Sequence, residues 1–166
     1  MGRKIGGLVL ESLAEADAAN HIAREAAHKQ QVLLRINPAD RQQKFGVSFS
    51  GRPSQFGVDE EVFLPAIDAI LKFDHLELVG FHIYSGTNSL DPSAIAENFR
   101  NFARIFARAA THYRKPVQRL IFGAGFGLPY TIQDNALDID AVAQAVQPRN
   151  RTDAIGAPAP IVRVLA

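Results

Sequence analysis

The residues able to do chemistry in this chain of 166 gather where apolar runs end. Gly123, Ala124, Gly125, Phe126 and Gly127 spell GAGFG directly after the run VQRLIF. Closely spaced glycines let backbone approach a ligand, and consecutive amides can cradle a phosphate. A dinucleotide fingerprint would need a third glycine where Leu128 stands, and Pro129 blocks an immediate helix start, so that reading fails. A tight strand-exit turn without a ligand satisfies the same spacing. His82 lies late in the run HLELVGFHIY and leads into Ser85 and Gly86. Its imidazole is either a core group satisfied by a carbonyl or a site group, as acid, base or stacking plane. Ser85 could donate a hydroxyl to a phosphate. Arg35 is a cation inside the apolar run QVLLRI, costly to bury unless paired. It either reaches solvent or a structural partner, or holds an anion or phenolate. No His or carboxylate group has metal-ligand spacing. His21 and His28 read as solvated helix positions, and His75 and His112 sit near element ends.

These residues need elements to position them, and two periods alternate along the chain. Ile5–Leu10 reads as a strand. Ser12 and Glu15 make a capping box for a helix with Leu13, Ala16, Ala19, Ala23 and Ala26 on one side. Gln31–Ile36 is a strand ended by Asn37-Pro38. Residues 39–58 read as a loop, after which Asp59 caps a helix bearing Val62, Ala66, Ile70 and Phe73. His75–Tyr84 is the next strand. Asp91-Pro92 opens the clearest helix, striped by Ile95, Phe99, Phe102, Phe106, Ala109 and Tyr113. Val117–Phe122 is a strand, Ile139, Val142 and Val146 mark a helix, and Ile161–Leu165 closes with a strand.

Strands and helices therefore alternate. The strands are near-continuous apolar runs, as in parallel sheets covered on both faces. A doubly wound sheet and a (β/α)8 barrel both satisfy this order. A whole barrel takes about 250 residues, so roughly five strands make a small open sheet or part of a barrel. Both architectures put ligands at the carboxyl ends of the strands, where Glu11-Ser12, Arg35, Asn37, His82, Ser85 and Gly123–Gly127 fall.

Composition narrows the classes. Apolar residues make up 47% and charged residues 21%, which is ordinary for a folded chain. Eighteen Lys and Arg against 17 Asp and Glu leave a net charge of +1, which supplies no electrostatic case for nucleic acid or an anionic membrane. No apolar run is long enough for a membrane span, and Met1-Gly2-Arg3-Lys4 does not open a signal peptide. The absence of cysteine excludes disulfides and thiolate chemistry within these residues and suits a reducing cytoplasm, the expected location.

Taken together, LVLESLAEA (8–16), LRINP (34–38), QFGVDEE (55–61), GFHIYSGTN (80–88) and GAGFGLPY (123–130) resemble the fold-type III pyridoxal-phosphate decarboxylases. That group includes the diaminopimelate, ornithine and arginine decarboxylases with an alanine-racemase-like barrel. PSQFGVDEE and HIYSGTN are most similar to the subfamily acting on carrier-protein-bound amino acids, or found beside exosortase or siderophore gene sets. The resemblance implies an α/β fold, a partial (β/α)8 alanine-racemase-like barrel over residues 1–166, roughly the second half of the barrel. It implies pyridoxal 5′-phosphate as cofactor. His82 would stack on the pyridoxal ring. Ser85, Gly123, Ala124 and Gly125, with Phe126 and Gly127, would bind the phosphate. Arg35 would lie near the phenolic oxygen or the substrate.

There are departures. Ala124 replaces the middle glycine of the usual phosphate loop, and Asn88 replaces a more usual glutamine. Lys44 imitates a family lysine in KFGV, but QFGV (55–58) aligns better. The family's Schiff-base lysine, its Glu-Pro-Gly-Arg segment and its C-terminal β-domain are expected outside this chain, so that the chain alone is catalytically incomplete. The intact enzyme is expected to be a homodimer acting on a free or carrier-bound amino acid. A racemase or cofactor-carrier barrel, and a truncated remnant without catalysis, are the alternatives.

Overall fold

A computed structural model of the chain describes residues 5–40, 47–48, 55–123, 125–147 and 162–164. Strands β1 (Leu8–Leu10), β2 (Gln30–Asn37), β5 (Leu76–Tyr84), β7 (Arg119–Gly123) and β8 (Val162–Val164) lie side by side in that order. All are parallel. Between them run helices α1 (Leu13–Glu25), α2 (Phe63–Ile70), α3 (Pro92–Tyr113) and α4 (Ile139–Val146). Two short strands, β3 (Val47–Ser48) and β6 (Gly86–Thr87), pair antiparallel, and β4 (Val58–Asp59) extends the carboxyl end of β2. Each main strand adds beside its predecessor without reversal. A doubly wound sheet reverses at a switch point, so this order is that of a barrel sector. β1 and β8 stand at its two edges.

Strand periodicity separates two faces. Val32, Leu34, Ile36, Phe81, Ile83, Leu120 and Phe122 join the core with the helices. Arg35, Gly80, His82, Tyr84, Arg119, Ile121 and Gly123 fall in the opposite phase, which lines a barrel interior. Helix α3 fills the outer layer. Asp91 caps it by accepting from the amides of Ser93 and Ala94, and Pro92 takes the first turn. Its Phe102, Ile105, Phe106 and Ala109 are fully or almost fully buried, each large side chain contributing about 1.5–3 kcal/mol of burial. The Tyr113 hydroxyl donates to the Leu78 carbonyl and fixes the helix against β5.

Several local expectations are corrected. Asp59 does not cap α2: it lies in β4 and accepts from Asn37 Nδ2 at 2.7 Å. The helix starts at Phe63, with Val62 exposed at its cap and Phe73 beyond its end. Leu13 and Ile139 are also exposed, so the apolar faces of α1 and α4 are narrower than their patterns suggest. The first strand is Leu8–Leu10 rather than Ile5–Leu10. The expected 39–58 loop holds β3 and the start of β4, while its Gly46, Gly51 and Pro53 lie outside the described residues. Lys4, Lys44, Ala124 and the ends of the Ile161–Leu165 strand also lie outside them. The Ser12–Glu15 capping box holds: Glu15 N donates to Ser12 Oγ, and Glu15 Oε2 accepts from the Glu11 amide.

Candidate active site

The carboxyl ends of β1, β2 and β5 bring three ionisable groups together. Arg35 of β2 sits in register with His82 of β5. Glu11 follows β1, and its Oε1 accepts from Arg35 Nη1 at 2.8 Å. The Arg35 side chain is only 11% exposed. Its guanidinium lies 5.3 Å from the Phe56 ring centre and 5.8 Å from that of Tyr84, within cation–π range. Burial, reinforced by the Arg35 charge and opposed by Glu11, lowers the His82 pKa from 6.5 to about 4. His82 is therefore a neutral imidazole at neutral pH.

The hydrogen-bond accounting of this cluster is open. Glu11 Oε2, Arg35 Nε and His82 Nδ1 are buried without a partner among the described residues. Buried polar atoms are nearly always paired in folded proteins, because each unpaired one costs about 1–3 kcal/mol. Three together, two of them on charged side chains, mark a place built to receive polar groups.

Tyr84 joins this cluster to a second one. It pairs in register with Gly123, where a Cβ would come within 2.5 Å of Tyr84 Cδ2. Only glycine allows that approach. The Ser85–Ser89 turn is stitched to the glycine loop: Ser89 N donates to Gly125 O and Gly127 N donates to Ser89 O, both at 2.9 Å. Asn88, at φ 57, accepts from the Leu128 amide through Oδ1 at 3.2 Å. Gly125 has φ 71, a backbone conformation that favours glycine. Ser85 is fully buried and donates to Asn98 Oδ1 at 2.8 Å.

The structure thus brings Arg35 beside His82, and the Ser85 turn beside the glycine loop. Two other expected residues carry structural contacts as well. The Phe126 ring packs against Phe99 at 6.2 Å within a small cluster with Ile95 and Val142. The Gly127 amide is committed to Ser89. Ala124, between Gly123 and Gly125, lies outside the described residues. Glu11 was legible only as a strand-end carboxylate, and Asn98 was missed. Its signal was a polar residue three after Ile95 and four before Phe102, in phase with the buried stripe.

At the opposite, amino ends of the strands, Lys29, Asp74, Glu77, Lys115 and Gln118 line an open cleft of about 560 Å³. Lys29 and Lys115 belong to that face, and Lys72 precedes β5 there too. None of these described lysines reaches the Arg35–His82 cluster. No metal-binding group of His, Asp and Glu occurs among the described residues, and none of their helices is long and apolar enough to cross a membrane.

Residues 3–165 match the family model for the pyridoxal-binding domain of pyridoxal-dependent decarboxylases. The L-glutamyl-(BtrI acyl-carrier protein) decarboxylase of Niallia circulans is 27% identical over 84% of this chain and 32% of its own length. The diaminopimelate decarboxylase of Thermoplasma acidophilum is 32% identical over 70% of this chain and 29% of its own. A point mutant of diaminopimelate decarboxylase from Helicobacter pylori, crystallised with L-lysine, superimposes with a TM-score of 0.76 over 96% of this chain and 39% of that one, at 22% identity. The diaminopimelate decarboxylase from M. jannaschii gives 0.73 over 86% of this chain and 33% of that one, at 23% identity. These likenesses establish the barrel fold, and the chain spans about a third of the length of the relatives it matches.

Proposed function

Because the chain belongs to the pyridoxal-dependent decarboxylases through their pyridoxal-binding domain, we propose that it forms the cofactor cradle of an amino-acid decarboxylase. Pyridoxal phosphate, when bound, supplies the electron sink for the electrons that departing carbon dioxide leaves behind. The residues present fit that group. The observation that carries the reading is the set of unpartnered buried atoms on Glu11, Arg35 and His82, facing the barrel interior next to a hydroxyl and a glycine loop.

Each residue then has a distinct task. His82 offers an uncharged ring as a stacking plane, since its pKa near 4 keeps a proton off it at neutral pH. Arg35, held by Glu11, places a fixed cation where a phenolate or a substrate carboxylate would be neutralised. Ser85 and Gly123–Gly125 take the phosphate, the hydroxyl and backbone amides donating to its oxygens. Tyr84 spaces the two halves. The substrate is an amino acid, free or carrier-bound; the intact enzyme is a homodimer. None of the lysines among the described residues is placed to anchor a cofactor covalently, and on this reading the chain by itself binds without turning over.

Calorimetric titration of the chain with pyridoxal phosphate tests this. Saturable binding is expected, weakened at least tenfold by Arg35→Ala or Ser85→Ala, with no carbon dioxide released from diaminopimelate, ornithine, arginine or a carrier-bound glutamyl group. Absence of saturable binding to the unaltered chain overturns the reading.

A further inference from the structure

Ser85 and Asn98 are both fully buried, and they make one hydrogen bond where two polar groups could make more. Ser85 Oγ donates to Asn98 Oδ1. Asn98 Nδ2, a two-proton donor, has no partner among the described residues. A hydroxyl has one proton. A phosphate dianion has only acceptors, so Ser85 can hold it only with that same proton. Resting on the proposal that Ser85 takes the cofactor phosphate, we infer that Asn98 is a positioning residue that turns over its amide to release the Ser85 proton to the phosphate.

The exchange balances atom for atom. Turning the amide end over replaces Oδ1 by Nδ2 against Ser85 Oγ. Asn98 Nδ2 now donates to the serine oxygen, and the serine O–H donates to a phosphate oxygen. One hydrogen bond becomes two in series, and each polarises the other. The unpaired donor, the costlier atom before binding, gains its acceptor. Without the anion, the opposite orientation is favoured because Ser85 then needs somewhere to put its proton. The serine hydroxyl is thereby re-aimed when the ligand arrives, by a residue thirteen positions away on α3. The amide sits on a rigid helix, packed between the Ile95 and Phe102 turns of the core, so it turns at its end without moving its backbone.

The test uses the full chain with two probes, pyridoxal phosphate and pyridoxal, which differ only in the phosphate. Asn98→Leu keeps the shape and removes the relay. It should weaken pyridoxal phosphate about tenfold, the value of one hydrogen bond to a charged group, while pyridoxal stays within about twofold. Because the residue acts through Ser85, the double variant with Ser85→Ala should be no weaker than Ser85→Ala alone. Asn98→Asp keeps the acceptor that Ser85 uses and offers no donor. It should retain the wild-type circular dichroism and lose more than tenfold for pyridoxal phosphate, so a collapse of the leucine variant leaves the inference falsifiable. Equal losses for both probes, multiplying losses in the double variant, or an aspartate variant that binds normally would overturn the inference alone. A wild-type chain that binds neither probe would overturn the functional reading beneath it.

Discussion

Two charged clusters in this molecule look alike in composition and differ in how completely they are paired. On the outer side, the Glu60 carboxylate is almost fully buried. Its Oε1 accepts from Arg104 Nη1 at 2.9 Å and Arg108 Nη1 at 2.7 Å, and its Oε2 from the Ala39 amide at 3.1 Å. Both oxygens are satisfied, and the cluster ties the segment after β2 to α3. On the inner side, Glu11 and Arg35 form one bond of 2.8 Å and leave Glu11 Oε2, Arg35 Nε and His82 Nδ1 unpaired among the described residues. The outer cluster is a fastening. The inner one costs stability that a ligand can return, because a binder of the native state alone stabilises it.

The largest expected effect belongs to His82. Its pKa of about 4 in the fold lies below the ordinary 6.5, so protons bind the unfolded chain more readily. Above pH 6.5 neither state carries this proton and the group contributes nothing. As pH falls from 6.5 towards 4 the unfolded state is favoured, and the loss levels off below 4. The full difference is about 3 kcal/mol. Urea unfolding at pH 7 and pH 4.5 should show this loss in the wild type and much less of it in His82→Gln. Equal slopes in both would remove the inner cluster's main signature.

The next two predictions cross. Glu60→Gln keeps the shape and removes the charge that two arginines share. It should cost about 2 kcal/mol in urea unfolding, since the bonds lost involve charged groups but half-exposed arginines, and leave pyridoxal phosphate affinity within about twofold. Arg35→Met should do the reverse. It removes a cation whose burial was incompletely repaid, and the Glu11 side chain, 28% exposed, can turn its carboxylate out to water once released, so stability should change by less than about 1 kcal/mol. Affinity for pyridoxal phosphate should fall at least tenfold, about 1.4 kcal/mol. If Arg35→Met destabilises as much as Glu60→Gln, the inner pair is a fastening too.

The contrast itself could not have been seen along the chain. Alternating periods placed the strands and α3, because burial on one face imposes a repeat that survives in one dimension. Arg35 and His82 stood out for a related reason, each being a polar interruption of an apolar strand. Glu60 and Arg104 are 44 residues apart, and nothing local at QFGVDEE or in the polar side of α3 says that they meet. Asp59 looked like a helix cap because its residue type suits one, yet the Asn37 side chain, brought near by β4 pairing with β2, takes its carboxylate instead. The loop after β7 was legible as glycines, while the use of the Gly127 amide by Ser89 depended on where the Ser85–Ser89 turn comes to rest.

The smallest expected effect sharpens what makes the outer cluster strong. Asp40 also approaches Arg104, at 3.4 Å, and on charge alone it would be a third member. It differs from Glu60 in exposure: the Asp40 side chain is 69% exposed and that of Arg104 48%. At such a site water competes for both ions, salt screens them, and ordering two side chains costs entropy, so exposed pairs are worth about 0–1 kcal/mol. Arg104 also keeps Glu60 and the Asn101 side-chain oxygen, at 2.7 Å, when Asp40 is neutral. Asp40→Asn should therefore shift the urea midpoint by less than the equivalent of about 0.5 kcal/mol, and the shift should vanish in 1 M sodium chloride. Glu60→Gln should keep most of its cost at that salt, since burial protects its bonds from screening. A salt-sensitive Asp40 effect as large as that of Glu60 would mean that net charge, rather than complete pairing of a buried carboxylate, holds the outer cluster. The unpaired atoms of Glu11, Arg35 and His82 would then lose their meaning as the feature that sets the inner cluster apart.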